Sequence, residues 1–253
     1  MKKRIALLSG LLLAAEAFSQ ESRITVTVAF LGTDYMFREV AGSYMGVTEV
    51  TQAQYEAVMG ENPSKFKGKN LPVERVSWYD AIYFCNKLSL AANYSPVYAV
   101  DGVTDVSKWG YTPHRGERIA GEITQDEQAV GFRLPTDDEW EYAAWGGQAC
   151  RYAGSDDLDE VGWYSANSGG STHPVAQKKA NGYGLHDMSG NVWEWVWDPY
   201  WKDTGRRFFR GGCWYVGSLN SSPVNTFSNK TYYYAYYGGE FIGFRIVLSG
   251  FGS

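Results

Sequence analysis

A chain of 253 residues is near the upper size that one hydrophobic core serves, and no Pro-rich, Ser-rich or single-charge run marks a linker, so one domain is expected. A net charge of −5, with no basic cluster beyond Lys2-Lys3-Arg4, excludes a nucleic-acid backbone as partner. Ten tryptophans and 16% aromatic residues exceed what a minimal core needs, which points to irregular segments pinned by large rings.

Residues 1–19 read as an export signal: basic Lys2-Lys3-Arg4, apolar Ile5 to Ala15, then Ala17-Phe18-Ser19 before Gln20. The apolar run is too short for a spanning helix. Leu13-Ala14-Ala15 resembles a lipoprotein box, but Glu16 stands where the lipid-bearing cysteine belongs. Contact with a membrane is therefore expected only through such an anchor, and the destination is the cell surface, the outer membrane or the medium.

Residues 20–253 form the expected domain. Ile24, Val26, Val28 and Phe30 alternate with Thr and Ala, the period of a strand with one buried face. Thr51-Gln52-Ala53-Gln54 is a capping box for a helix to Met59 that Gly60 stops. Ser77-Trp78-Tyr79-Asp80 opens a second helix carrying Ala81, Phe84, Cys85 and Leu88. Thr136-Asp137-Asp138-Glu139 opens a third, with Trp140, Ala143 and Ala144, before Gly146-Gly147; its acids suit the helix dipole. Residues 91–130 and 147–183 lack periodicity and read as loops with short strands. Trp193, Trp195 and Trp197 share one face of a strand, with Glu194 and Asp198 on the other. Phe244, Ile246 and Leu248 alternate in a last strand expected to close against the first. Little helix, several short strands and long loops describe an α+β domain.

Between the last two strands lies a segment of unusual composition, about 214–241. Tyr, Phe, Ser, Asn and Gly dominate it, and only Lys230 and Glu240 are charged. Such a mixture has the chemistry of an antibody paratope, with Tyr as rigid anchors and Ser, Gly and Asn as adaptable hydrogen-bonding groups. The candidate ligand-binding residues are Trp214, Tyr215, Val216, Ser218, Leu219, Asn220, Ser222, Val224, Asn225, Phe227, Ser228, Tyr232, Tyr233, Tyr234, Tyr236, Tyr237 and Phe241. The expected partner is a protein or a glycan bound by a monomer, with the core left to Phe244, Ile246 and the Trp face.

Catalytic signals are weak. Cys85, Cys150 and Cys213 have no Cys-x-x-Cys spacing and read as buried small hydrophobes. His114, His173 and His186 are scattered, and His186-Asp187 near Ser189 lacks the spacing of a nucleophile elbow. Gly211-Gly212 and Gly238-Gly239 open no helix and read as turn glycines rather than phosphate cradles.

Many collinear blocks resemble the formylglycine-generating-enzyme (sulfatase-modifying) family. They include Gly46-Val47-Thr48-Glu49-Val50-Thr51, Leu71-Pro72-Val73-Glu74-Arg75-Val76-Ser77-Trp78, Gly131-Phe132-Arg133-Leu134-Pro135-Thr136 and Glu139-Trp140-Glu141-Tyr142-Ala143. Asn181 to Leu185, Asp187 to Trp195, Arg210-Gly211-Gly212 and Gly243-Phe244-Arg245 continue the match, from about Met45 to Leu248. The resemblance implies a C-type-lectin-like fold with paired terminal strands. It does not carry the activity, because the family's redox cysteine pair falls on Val216 and Ser221, and Cys213 has no partner thiol nearby in sequence. No enzyme is expected; the alternative is a formylglycine-type oxidase using Cys213 alone.

The resemblance further implies a calcium site at Asp187, Gly190, Val192 and Glu194, two side-chain oxygens and two carbonyls suiting a hard cation. The residues alone fit equally an Asx turn at Asp187 and a Glu194 ion pair with Arg210 or Arg245. No other cofactor is implied. The tail also resembles the variable region of proteins diversified by a retroelement, in which template adenines are copied as any base. An AAC codon then becomes NNC, which never encodes Met, Trp, Gln, Lys or Glu. From Tyr215 to Ile242 every residue except Lys230 and Glu240 belongs to the permitted set.

Overall fold

The computed structural model describes residues 3–6, 23–28, 32–201, 203–217 and 230–249. Its larger sheet begins with β1 (Lys3–Ala6), β2 (Arg23–Val28), β3 (Thr33–Val40) and β4 (Ser43–Gly46). In β3, Tyr35, Phe37 and Val40 point inward, and Phe37 stacks on Phe132 with centroids 5.9 Å apart. β1 runs parallel to β2 from inside the segment read as an export signal; most of that signal, residues 7–19, lies outside the described residues.

Three local signals set the helices where the capping boxes place them. Thr51 caps α1 (Gln52–Met59), whose chain leaves through Gly60 at φ 84, a left-handed conformation open to glycine. Ser77 caps α2 (Trp78–Ala91), and Thr136 caps α3 (Asp137–Trp145). α1 packs on α2 and β3, and α2 buries ten of its residues. Its Trp78 indole donates to the Val196 carbonyl at 2.9 Å, joining helix to sheet. Irregular chain follows, as expected, broken by β5 (Tyr98–Val100), β6 (Ile123–Gln125), β7 (Phe132–Arg133), α4 (Leu158–Val161), β8 (Gly162–Trp163) and β9 (Ser189–Gly190).

The second sheet holds β10 (Trp193–Tyr200), β11 (Asp203–Arg210), β12 (Thr231–Tyr234) and β13 (Ile242–Gly243), ordered β12-β11-β10-β13. The Trp face of β10 enters the principal core, where Trp195 is fully buried and Trp197 packs 5.2 Å from Trp78 and 5.0 Å from Tyr98. The opposite face is buried too, a correction to the alternation reading. Val196 joins a second cluster with Trp140, Ala143, Ala144 and Phe208, and Glu194 is wholly enclosed. The cause is α3, which packs on β10 and β11.

The final strand also closes differently. β14 (Val247–Leu248) pairs with β4 and β7, so the larger sheet runs β1-β2-β3-β4-β14-β7 and the carboxyl strand meets the fourth strand, not the first. Among the described residues no helix is long and apolar enough to cross a membrane.

One buried acid makes the fold sensitive to pH. Glu74 accepts from the Phe66 amide at 2.8 Å through Oε1, while its Oε2 is buried without a hydrogen-bond partner. Burial outweighs the backbone bonds and pushes its carboxyl up to about 7. The folded state then holds this proton more tightly than the unfolded chain between the ordinary carboxyl range and pH 7, so stability falls as pH rises through that window. Glu74→Gln is expected to flatten this dependence. It should add about 1–2 kcal/mol at pH 8 and almost nothing at pH 4.5, measured by urea unfolding at the two pH values.

Candidate functional site

The tail leaves β11 at Arg210, whose fully buried guanidinium pairs with Asp137 and, at 3.0 Å, with Glu141. Gly211 and Gly212 follow at φ 96 and 81. Gly211 has the Trp140 ring 3.2 Å from where a Cβ would sit, so positive φ and close packing both call for glycine there.

Backbone bonds, which any residue but proline can make, hold much of the segment. The Trp214 amide donates to the Asn191 carbonyl at 2.9 Å, and the Val216 carbonyl accepts from Ser165 at 3.1 Å. β12 pairs antiparallel with β11 in the register Arg206 with Tyr234 and Phe208 with Tyr232. Ala235 donates to Gly205 and accepts from Trp78, both at 3.0 Å, and the Gly239 carbonyl accepts from Arg75 at 2.9 Å. Finally, Trp193 donates to the Phe241 carbonyl at 2.8 Å.

The tail's two charged residues are both tied to the scaffold. Lys230 Nζ lies 2.7 Å from Asp137 Oδ2 and 4.6 Å from the centre of the Phe208 ring. Glu240 lies 2.7 Å from Lys65 and 3.9 Å from Arg75, while its carbonyl accepts from the Trp214 indole at 3.1 Å. The residues that break the permitted codon set are thus the ones with ionic partners in the fixed part of the molecule. Lys230→Met is expected to cost about 1–2 kcal/mol and to speed hydrogen exchange across Thr231–Tyr234, with Lys230→Arg restoring both.

Side-chain exposure divides the candidate residues. Tyr215, Tyr232 and Tyr233 are exposed, at 46%, 36% and 45%. Trp214, Val216, Tyr236, Tyr237 and Phe241 are half-buried and pack against the principal core, so the expectation that the whole tail leaves the core alone is corrected for these five. Tyr234 is also half-buried and stacks on Tyr236 at 5.3 Å. Ser218, Leu219, Asn220, Ser222, Val224, Asn225, Phe227 and Ser228 lie outside the described residues.

Residues that composition did not single out continue the face. Trp201, following β10, is 76% exposed and stacks on Tyr200, which lies with its ring centroid 3.5 Å from that of Tyr232. Arg206 sits over Tyr232 at 5.6 Å and Tyr234 at 4.9 Å and donates to the Tyr234 hydroxyl at 3.2 Å. Arg118 lies 5.0 Å over Tyr236. The available signal was a run of two aromatics, Tyr200-Trp201, at the end of a strand.

The implied catalytic groups do not assemble. Cys213 is fully buried, and burial pushes its thiol up to about 12, so at neutral pH it is protonated and shielded. Cys85 is buried as well, and Cys150 is partly exposed. His173 stacks on Trp163, His186 meets the Lys178 carbonyl at 2.8 Å, and His114 lies 3.1 Å from the Tyr55 hydroxyl, so the three imidazoles serve separate local contacts.

The residues of the implied calcium site adopt the ion-pair arrangement. Glu194 receives Arg245 Nε at 2.6 Å and Nη2 at 2.7 Å, and its Oε2 also accepts from the Trp140 indole at 2.6 Å. Asp187 takes the Ala176 amide at 2.7 Å on Oδ2, and its Oδ1 is buried without a hydrogen-bond partner. The Gly190 amide donates to Gly211, and the Val192 amide donates to Glu49 at 3.2 Å. Burial raises Glu49 well above its ordinary range and Asp187 to about 6, which lowers the negative charge of the cluster. A guanidinium is the cation that Glu194 holds. Among the described residues, no group of three or more His, Cys, Asp or Glu is arranged to hold a metal.

This architecture is the C-type-lectin-like fold of formylglycine-generating proteins. The chain superimposes on Treponema denticola variable protein 1 with a TM-score of 0.80 and 31% identity, covering 90% of this chain and 99% of the other. In sequence it is 42% identical over 206 residues, 72% of each chain, to the chaperone protein LppX of Paenibacillus barcinonensis. A shorter stretch of 81 residues is 43% identical to the formylglycine-generating enzyme of Mycobacterium tuberculosis, 26% of this chain and 27% of that one. Residues 32–249 match the model of the sulfatase-modifying factor enzyme 1-like domain, and the chain belongs to that family.

Proposed function

We propose that this chain is an exported, surface-displayed ligand-binding protein whose tail, about 214–241, recognises protein or glycan ligands and is diversified by a retroelement. The observation that carries the reading is the separation of display from support. Tyr215, Tyr232 and Tyr233 are exposed, while the segment bearing them is held by backbone hydrogen bonds and by the ion pairs of Lys230 and Glu240. Rigid tyrosines on such a support supply contact area at low entropy cost. The structural likeness to a treponemal variable protein supports the same role.

The gene and its flank test the diversification. A near-copy of the tail's coding sequence, with AAC codons opposite Tyr and Ser, beside a reverse transcriptase, is the expected finding; a flank with neither removes this part of the reading. The enzyme alternative places chemistry on Cys213, which the buried, protonated thiol disfavours. If the purified protein, incubated with copper, oxidised a Cys-containing peptide and Cys213→Ser abolished that, the binding reading would fall. The relative named as a chaperone favours a polypeptide as the ligand.

A further inference from the structure

The tyrosines of the tail do not meet a neutral scaffold. Four cationic side chains from outside the tail reach its described residues: Lys65 and Arg75 at Glu240, Arg206 over Tyr232 and Tyr234, and Arg118 over Tyr236. The first two are about half-exposed, Arg118 is exposed and Arg206 is partly so. They stand in a chain whose net charge is −5. Glu240 is shared by Lys65 and Arg75. Asp137, which pairs with Lys230, is buried and shared with Arg210.

A guanidinium carried over an aromatic ring is oriented before a ligand arrives, and its N–H groups suit the two oxygens of a carboxylate. Alternation of Tyr, Trp and Arg is also the composition of hot spots at protein interfaces. β12 lies at the edge of its sheet among the described residues, its Tyr232 ring stacked on Tyr200, and that edge offers backbone groups to an extended polypeptide.

From this placement we infer that the face has a fixed half and a changeable half. Arg206, Arg118 and Trp201, outside the tail, recognise a feature common to all its ligands, an acidic polypeptide surface. The tail's tyrosines then discriminate among such surfaces. Complementary charge of this kind governs encounter rate and the exclusion of wrong partners more than tightness, which suits a constant element beneath a changing one. The inference rests on the ligand-binding reading above and adds the chemistry of the ligand.

The test uses the intact protein, immobilised, with a phage-displayed library of short random peptides as the probe and heparin as a competing polyanion. The selected peptides are expected to be enriched in Asp and Glu and to lose capture in half-molar salt. Arg206→Ala with Arg118→Ala should weaken capture at least about tenfold, and Arg206→Lys less. Circular dichroism melts report folding of each variant. Neutral or basic peptides, acidic peptides captured equally by the arginine variants, or no enrichment at all overturn the inference. Arginine-dependent binding of heparin in preference to peptides also overturns it, in favour of an acidic glycan. Peptides whose capture ignores both the arginines and Tyr232→Ala would instead remove the tail as the binding site. Capture that needs Tyr232 but not the arginines sinks this inference alone.

Discussion

Arg245→Met is expected to destabilise the protein by about 3–5 kcal/mol, although residue 245 lies well away in sequence from the groups it serves. Its guanidinium is fully buried. It gives two hydrogen bonds to Glu194, one to the Gly46 carbonyl at 3.0 Å and one to the His186 carbonyl at 2.9 Å. Methionine fills much of the volume but leaves Glu194 enclosed with Glu49 and Asp187, whose charges already repel one another. Removing one partner of a buried pair costs far more than replacing both with apolar groups, because a charge is stranded. For a chain of this length the loss corresponds to a fall in Tm of roughly 10 °C. It should be smaller at pH 5 than at pH 7.5, since Glu49 and Asp187, both raised by burial, then take up protons. A loss below about 1 kcal/mol at pH 7.5 in thermal melts would mean that Arg245 is not the cation balancing this cluster.

The second large effect is on binding rather than folding. Changing Tyr215, Tyr232 and Tyr233 together to Ser is expected to cost about 1 kcal/mol of stability per residue, because about half of each ring is already in solvent. Trp195→Ala, at a fully buried position, should alone cost about 3–5 kcal/mol. Ligand capture should behave the other way. Loss of an interface anchor is typically worth at least about 2 kcal/mol, so each tyrosine should matter by roughly thirtyfold for a ligand of the parent chain. Calorimetry of the triple variant and titration against a selected peptide check the two halves separately.

The three helices were legible because capping is local: Thr51, Ser77 and Thr136 lie within three residues of the Gln or acid that completes each box. The Trp face of β10 was legible for the same reason, since strand alternation needs no knowledge of neighbours. Its other face was not. The residues offered Arg210 and Arg245 alike as partners of Glu194, and the choice of Arg245, 51 residues on, is made by the packing of the whole domain, with α3 arriving over β10. The partner of β14 was misplaced on similar grounds, because β4 shows no strong alternation and its pairing is decided by the whole sheet. Within the tail, composition located the segment but not its exposure. Tyr233 and Trp214 belong to the same chemical class, yet one stands in solvent and the other donates its indole to Glu240. Arg118 and Arg206 were invisible as part of the face because their role depends on tyrosines that come far later in the chain.

A variable surface on a fixed support requires a fold that tolerates change at the displayed positions and not at their supports. A display library in which residues 215, 232, 233, 230, 240 and 235 are each randomised, sorted for protease resistance and sequenced, measures this directly. Broad acceptance is expected at 215, 232 and 233, with Lys or Arg at 230, Asp or Glu at 240, and small residues at 235, where Ala is 1% exposed. If 215, 232 and 233 proved as restricted as 235, or if 230 and 240 accepted substitution as freely as the tyrosines, the tail would not be a variable surface on a fixed support.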